Sequence, residues 1–523
     1  MPTLTLKPNG PTRPPFRAPW QRCVAVGRAY ELLRADVLEH VAEAQAAIGW
    51  THCRFHGLFH DDMNVVQRAP DGTLRFQWHH IDKVFDSLLA LGLRPFVELN
   101  PMPAALASGE QTMFFYEMNV TPPARFEEWQ ALVEAFTRHC LERYGYEEVR
   151  HWYFEVWNEP NLKGFWSGSQ EDYWQLYAHA ARGVKAVHPE LRIGGPATAS
   201  GAWIGDLIHW CVDNDVPIDF VSTHLYPQDE YVVYPKRKDS PHEPGHFFAD
   251  RVREVQQEVK ASPRPDLEIH WTEWNTQSVH PEGRVTWGEN TYVDSCFAAS
   301  FLARNLTELD DACTSLGWWV ISDIFEEGGI PNAPFSCTYG LMTIHGLPKA
   351  SFHAFAFLAE LRDLPRLPVD LQDAPDGCGA CAVKTESGWK LLAWNHPPLE
   401  TSDPADWTVK LTAGEPSVPG ILFTSTIRPG AGSAWEGWQH LGRPHNLTPA
   451  LEALLRSQAE PERTARTTDA GQSVSADLAL APYTVSLFEW TPAGQPAFGK
   501  GVPDDPKNDP LEDLLSGIAD PNA

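Results

Sequence analysis

Residues 152–161 read Trp152-Tyr153-Phe154-Glu155-Val156-Trp157-Asn158-Glu159-Pro160-Asn161. A short aromatic and β-branched run stops abruptly at Asn-Glu-Pro. It therefore reads as a buried strand that delivers a carboxyl group at its C-terminal end. One such run decides little, because a buried strand and a buried helical segment look alike at this length. The recurrence decides the fold. Comparable runs stand at 23–26, 53–56 and 94–99 before it, and at 192–195, 220–224, 268–273 and 316–321 after it. Segments with apolar residues at helical spacing lie between them, at 35–48, 78–91, 126–144, 170–187, 203–214, 248–261 and 291–309, with 347–361 as an eighth. Eight strand–helix units predict an α/β chain whose main body is a (β/α)8 TIM barrel, enlarged by loops beyond the usual size of about 250 residues.

After residue 361 the texture changes. Proline becomes frequent, and short alternating runs appear at 380–384, 391–395, 407–411 and 484–490, with Ser387-Gly388 as a tight turn between the first two. This predicts an antiparallel β-sandwich. The segment 449–457 reads as a helix capped by Thr448. The expected organisation is an N-terminal segment, 1–15, whose residues 3–6 add a strand to the sandwich; a catalytic barrel, 16–361; an accessory sandwich, 362–498; and a loosely held tail, 499–523.

Composition narrows the partners. With 41 Lys+Arg against 69 Asp+Glu, the net charge is −28, a field that repels nucleic acid and anionic membrane but leaves a neutral substrate unaffected. The 21 Trp and 13 Tyr fill cores for the most part, and the remainder can stack on the apolar faces of sugar rings. Nine Cys are scattered, and the pair Cys378 and Cys381 has no second pair to complete a zinc site, so all read as reduced, packed thiols. The polar, proline-rich start carries no secretory h-region and no run of about 18 apolar residues occurs, so the protein is expected in the cytoplasm. The sequence is silent on oligomeric state.

Chemistry on such a barrel sits where the strands end. The fourth ends in Asn158-Glu159 and the seventh in Thr272-Glu273-Trp274-Asn275. These strands face each other across the mouth, so the two carboxyl groups can flank one bond, as glycoside hydrolysis requires. A lone Glu at a strand end is usually a solvated rim group; two on opposite strands, each beside Asn and Trp, argue for catalysis. No metal or cofactor is called for. His60-Asp61-Asp62 has no second ligand group in sequence and reads as a cap or a rim ion pair, and Lys163 as a surface side chain.

Taken together, Phe55-His56-Gly57, Trp157 through Leu162 with Phe165-Trp166, His224-Leu225-Tyr226, Thr272 through Asn275 and Ser322 through Glu327 resemble glycoside hydrolase family 39, which holds β-xylosidases and α-L-iduronidases. The resemblance spans roughly residues 23–355. It implies a retaining mechanism with Glu159 as acid/base and Glu273 as nucleophile, and Asn158 bonded to the sugar 2-OH. It further implies that His56, Phe165, His224, Tyr226, Trp319, Glu326 and Glu327 line the sugar site. Trp318 and Trp319 are successive on a strand and must point oppositely, so one belongs to the core. Without the resemblance, each His serves equally well as a structural hydrogen-bonder, Glu326-Glu327 as a solvated acidic pair, and Phe165 as loop packing.

Iduronate carries a carboxylate and needs a nearby cation, whereas the eighth-strand loop offers two acids. The expected substrate is therefore a small neutral oligosaccharide. The expected reaction is exo-release of xylose from β-1,4-xylo-oligosaccharides, with α-L-arabinosidase side activity. An α-L-iduronidase, an endo-acting relative on a longer glycan, and a carbohydrate-binding protein without catalysis are the rivals.

Overall fold

The computed structural model describes residues 2–493, apart from 235, 237–238, 244, 278–291 and 399–403. The 499–523 tail and the first residue of the expected 291–309 helix lie outside the described residues.

Eight parallel strands close into a barrel in strict chain order. They are β1 (Cys23–Arg28), β2 (His52–His56), β3 (Arg94–Leu99), β4 (Tyr153–Val156), β5 (Arg192–Thr198), β6 (Phe220–Leu225), β7 (Glu268–Trp274) and β8 (Ser315–Trp318). The helices that follow them are α1 (Ala35–Ile48), α2 (His79–Ala90), α3 (Phe126–Tyr144), α4 (Gln170–Val187), α5 (Ile204–Asp213), α6 (Phe247–Ala261), α7 (Cys296–Glu308) and α8 (Ala350–Ala359). All sixteen fall where the apolar periodicity puts them. The boundaries are sharpest where chemistry punctuates them. At the start of α4, Ser169 accepts from the Asp172 backbone N–H while the Asp172 carboxylate accepts from that of Ser169.

Strand alternation sorts the barrel interior into layers. The lowest is aromatic: Phe96 stacks on Tyr153 at 4.8 Å, and Phe220 meets both edge-on. Two residues further along β2, β3, β4 and β7 stand Arg54, Glu98, Glu155 and Thr272, a buried polar layer. Above it lies the mouth.

The second body is a two-sheet sandwich. One sheet runs Val369–Gln372, Thr3–Leu6, Trp407–Ala413, Val474–Leu480; the other runs Arg366–Leu367, Cys378–Lys384, Trp389–Asn395, Thr484–Pro492, Gly420–Ile427, Glu462–Thr468. Pairing is antiparallel except that Thr3–Leu6 lies parallel to Trp407–Ala413. The six-stranded sheet has two apolar faces. Leu391 and Ala393 meet Leu4, Val409 and Leu411 inside the sandwich, while Leu392 and Trp394 join the barrel's core. At that seam, Phe297 of α7 lies 4.9 Å from the His396 ring, and Ser300 Oγ is 2.8 Å from His396 Nδ1.

The helix Pro449–Ala459 forms with Thr448 Oγ accepting from Leu451 N at 3.3 Å. A shorter one, Trp435–His440, precedes it. Together they pack on the loop that follows β8. Trp438 sits 5.5 Å from Phe335 beside Leu347 and Leu455, and Arg456 Nη1 donates to Gly346 O at 3.2 Å. All nine cysteines are free thiols. No helix among the described residues is long and apolar enough to cross a membrane.

Candidate active site

Glu159 stands in the turn after β4. Its backbone N–H donates to Ala197 O at 2.8 Å, and both Trp157 and Glu159 adopt left-handed backbone angles, φ 72° and 46°. Non-glycine residues pay roughly 1–3 kcal/mol for such angles, so surrounding contacts must hold the turn. Asn161 supplies two: its Nδ2 donates to Ala199 O at 3.1 Å and its Oδ1 accepts from Ala199 N at 2.9 Å. The indole of Trp157 donates to Phe165 O at 2.9 Å.

Glu273 reaches the mouth by a different device. Thr272 points inward, donating to Glu155 Oε1 at 2.7 Å, so simple alternation would turn Glu273 outward. The β6–β7 register shifts between Thr223 and His224, and β7–β8 pairing shifts between Trp271 and Trp274. The irregularity swings Glu273 into the interior while Trp274 packs outward on Trp318 at 5.1 Å and Phe248 at 5.1 Å.

The two carboxyl groups meet around His224. Its Nδ1 is 3.0 Å from Glu159 Oε1 and 3.5 Å from Glu273 Oε2. One ligand atom from each of the three residues lies within 4.8 Å of the others, a spacing that a cation could also use. The glutamates differ in their other partners. Tyr226 Oη donates to Glu273 Oε1 at 2.7 Å, and Arg54 Nη1 lies 3.5 Å from its Oε2. Burial raises the Glu273 carboxyl, opposed by the Arg54 charge and the Tyr226 hydrogen bond. Burial first, then the negative charge of Glu273, push Glu159 well above the usual carboxylate range. His224 is driven well below its ordinary value by burial and by Arg54, so it stays neutral. The site thus holds one carboxyl with cationic and hydroxyl support and one kept as an acid.

Arg54, which the sequence reading passed over, organises the polar layer. Fully buried, it bonds Glu155 Oε2 and Glu98 Oε2, each at 2.6 Å, and donates to Asn158 Oδ1 at 2.9 Å. That last contact leaves the Asn158 amide N–H group free to face a ligand. Glu98 lies within 3.0 Å of His56 Nδ1 through both oxygens. Burial pushes His56 down to about 3, so it is neutral. Its Nε2 faces the mouth, 3.9 Å from Glu273 Oε2 and 3.7 Å from Glu327 Oε1, too far for direct bonds and spaced for an intervening hydroxyl. The Trp319 ring lies 4.4 Å from His56, and Trp318 faces the outer core against Phe355. The signal for Arg54, Glu98 and Glu155 was a charge one or two residues before the end of three apolar strands.

Two residues expected at the sugar site are held by other side chains. Glu326 accepts from Arg28 Nε at 2.8 Å, and Arg28 also donates to Asp62 Oδ2 at 2.6 Å. The acidic pair is therefore split, with Glu327 inward and Glu326 tying its loop to β1. Phe165 meets the Phe114 ring edge-on at 5.3 Å and has no described contact with either catalytic-site glutamate. Asp62 is the rim ion pair expected of the His60 cluster, and His60 Nδ1 caps the turn, accepting from Asp62 N at 3.3 Å. Lys163 is exposed, and its Nζ donates to Gly168 O at 3.5 Å.

A family model described as "Glycosyl hydrolases family 39" matches residues 4–474, both bodies included. A "Beta-xylosidase" of Caldicellulosiruptor saccharolyticus is 37% identical over 483 residues, covering 89% of this chain and 94% of that one. The crystal structure of a GH39 enzyme from Xanthomonas axonopodis pv. citri superposes with a TM-score of 0.83 at 29% identity, covering 94% of this chain and 97% of that one. An "Alpha-L-iduronidase" of Mus musculus is 31% identical over 150 residues, 28% of this chain and 22% of its own length. The barrel, the glutamates that end its fourth and seventh strands, and the near end-to-end match agree: the chain belongs to glycoside hydrolase family 39.

Proposed function

We propose that the protein is a retaining, exo-acting β-xylosidase that removes xylose from the non-reducing end of β-1,4-xylo-oligosaccharides, with Glu159 as acid/base and Glu273 as nucleophile. The observation that carries the reading is the unequal setting of two glutamates held within 4.8 Å through one neutral histidine. Retaining enzymes keep their carboxyl groups about 5–5.5 Å apart, because the second must itself reach the anomeric carbon. Glu273, backed by Arg54 and Tyr226, attacks that carbon as the bond to the leaving oxygen breaks, and Glu159 gives the leaving oxygen its proton. Glu159, now ionised, takes a proton from water. The water oxygen then displaces Glu273, restoring the β configuration.

Asn158 can donate its free amide N–H to the 2-OH, and His56, Glu327 and Trp319 bound the ring. The reading needs no metal. It assigns the chemistry to the barrel, 16–361, with the sandwich, 362–498, as an accessory body, and places the enzyme in the cytoplasm acting on small xylan-derived oligosaccharides. Side activity on α-L-arabinosides belongs to the same proposal, since that sugar shares the ring and lacks C6. An iduronate carboxylate would need a free cation, whereas Arg54 is bound by Glu98 and Glu155 and Arg28 by Asp62 and Glu326.

A panel of nitrophenyl β-xyloside, α-L-arabinoside, β-glucoside and α-L-iduronide tests it. A misfitted CH2OH in a packed pocket costs on the order of 1–3 kcal/mol, so kcat/KM on the β-xyloside should exceed that on the β-glucoside by at least about tenfold. Proton NMR should show the β anomer as first product. Preference for the iduronide would overturn the sugar assignment, and the α anomer would overturn retention.

A further inference from the structure

Three loops at the C-terminal face of the barrel each expose a large apolar side chain: Phe115 is 74% exposed, Ile330 43% and Leu162 37%. They follow β3, β8 and β4, the last two being the strands that lead to Glu327 and Glu159. Exposed apolar side chains scattered singly mean little, whereas a group on one rim marks a contact surface.

The surroundings of Phe115 are built. It sits at the tip of a two-stranded hairpin, Thr112–Met113 with Met118–Asn119. Its neighbours are spoken for: Phe114 stacks 6.5 Å from His56, and the Tyr116 ring carries the Arg28 guanidinium at 4.2 Å. The Phe115 backbone N–H donates to Glu327 O at 2.8 Å, and its ring lies over Gly329, where an added Cβ would meet it at 3.9 Å. The hairpin's other side touches the loop after β4. Phe114 meets Phe165, and Gln111 Nε2 donates to Lys163 O at 3.3 Å. Leu162 in that loop donates its N–H to the carbonyl of Glu159 itself at 2.9 Å. Among the described residues, the tip ring is the exposed large apolar side chain of an anchored hairpin, on the same rim as Glu159.

We propose that Phe115, flanked by Leu162 and Ile330, is the platform for the leaving group, selecting aglycones with a flat apolar face: the C–H face of a second pyranose, or an aryl ring. This rests on the β-xylosidase reading. Leu162 stands in the same turn as Glu159, its N–H bonded to the Glu159 carbonyl, and a stacked ring is the contact that an aromatic plane makes with a sugar face.

The test compares wild type with Phe115→Ala and Phe115→Trp. In the first step, kcat/KM is measured on xylobiose and on β-xylosyl fluoride, whose leaving group is one atom. In the second step, the glycosyl-enzyme formed from nitrophenyl β-xyloside is partitioned between benzyl alcohol and methanol. Phe115→Ala should lose about three- to tenfold on xylobiose and in transfer to benzyl alcohol, with little change on the fluoride or in transfer to methanol. Phe115→Trp should restore both. Equal losses on xylobiose and fluoride would make Phe115 a support for the hairpin only, and unchanged xylobiose kinetics would remove the platform; either overturns the proposal. A wild-type enzyme inactive on every β-xyloside would instead overturn the reading beneath it.

Discussion

Tyr226 and Arg54 press on Glu273 from two sides, and the consequence is measurable as a pH profile. On the proposed mechanism, kcat/KM needs Glu273 ionised and Glu159 protonated, which gives a bell. The Tyr226 hydroxyl stabilises the ionised form of Glu273 and so holds its pKa down against burial. In Tyr226→Phe that support is lost, the pKa rises, and the acid limb should move up in pH. A hydrogen bond to a charged group is worth about 1.5–3 kcal/mol, so the shift should be on the order of one to two units. The alkaline limb belongs to Glu159, beside which Glu273 remains charged, and should stay in place. A profile measured on nitrophenyl β-xyloside decides it; an unmoved acid limb would separate Tyr226 from the ionisation of Glu273. Glu159 and Glu273 were legible as carboxyl groups at or just past the ends of two opposed strands, and Trp319 only through the family resemblance. Arg54, Glu98 and Glu155 were not, because a charge inside an apolar run reads as an interruption until its partners, on other strands, are known. The Arg28 pairing of Glu326 was illegible for a related reason: nothing local says that Arg28, 298 residues away, takes one acid of the pair.

Secondary structure elements were legible in proportion to how cleanly one face is buried. Helices α1 to α6 bury one apolar stripe, whereas α7 and α8 are buried on nearly all sides, and two of the eight, α4 and α7, begin at a side-chain cap. Ser169 is the clearest, and Ser169→Ala should cost about 1 kcal/mol in thermal or urea denaturation while leaving kcat unchanged, because the capping box holds α4 without touching the mouth. An equal loss of kcat would show that the turn from Glu159 to α4 is mechanically continuous. The strands Gly420–Ile427, Glu462–Thr468 and Val474–Leu480 escaped the sequence reading. Glu462–Thr468 reads Glu-Arg-Thr-Ala-Arg-Thr-Thr and lies at a sheet edge, almost wholly exposed, so neither face imprints an apolar alternation. The β7 irregularity is the opposite case. The period of two is present in the sequence, yet the register shift breaks it at Glu273, the position where chemistry needs the other face.

Across the whole molecule, the two bodies share a core. The helix α7 lays Phe297, Ser300 and Phe301 against His396 and Tyr483, and the six-stranded sheet sends alternate side chains to each side. A chain cut after residue 361 would expose that face of α7 and strip Thr3–Leu6 of both its partner strands. It should aggregate on gel filtration and lack the near-ultraviolet dichroism of packed Trp; a monomeric, active 1–361 fragment would show the barrel to be self-sufficient. The helices Trp435–His440 and Pro449–Ala459 add a further tie, since they brace the loop that runs from Glu327 back to α8. Exchange of modules between relatives is consequently constrained. A barrel recombined with a foreign sandwich would keep every residue that touches the sugar and still lose the strut behind its eighth loop, so the two halves must travel through evolution as a matched pair.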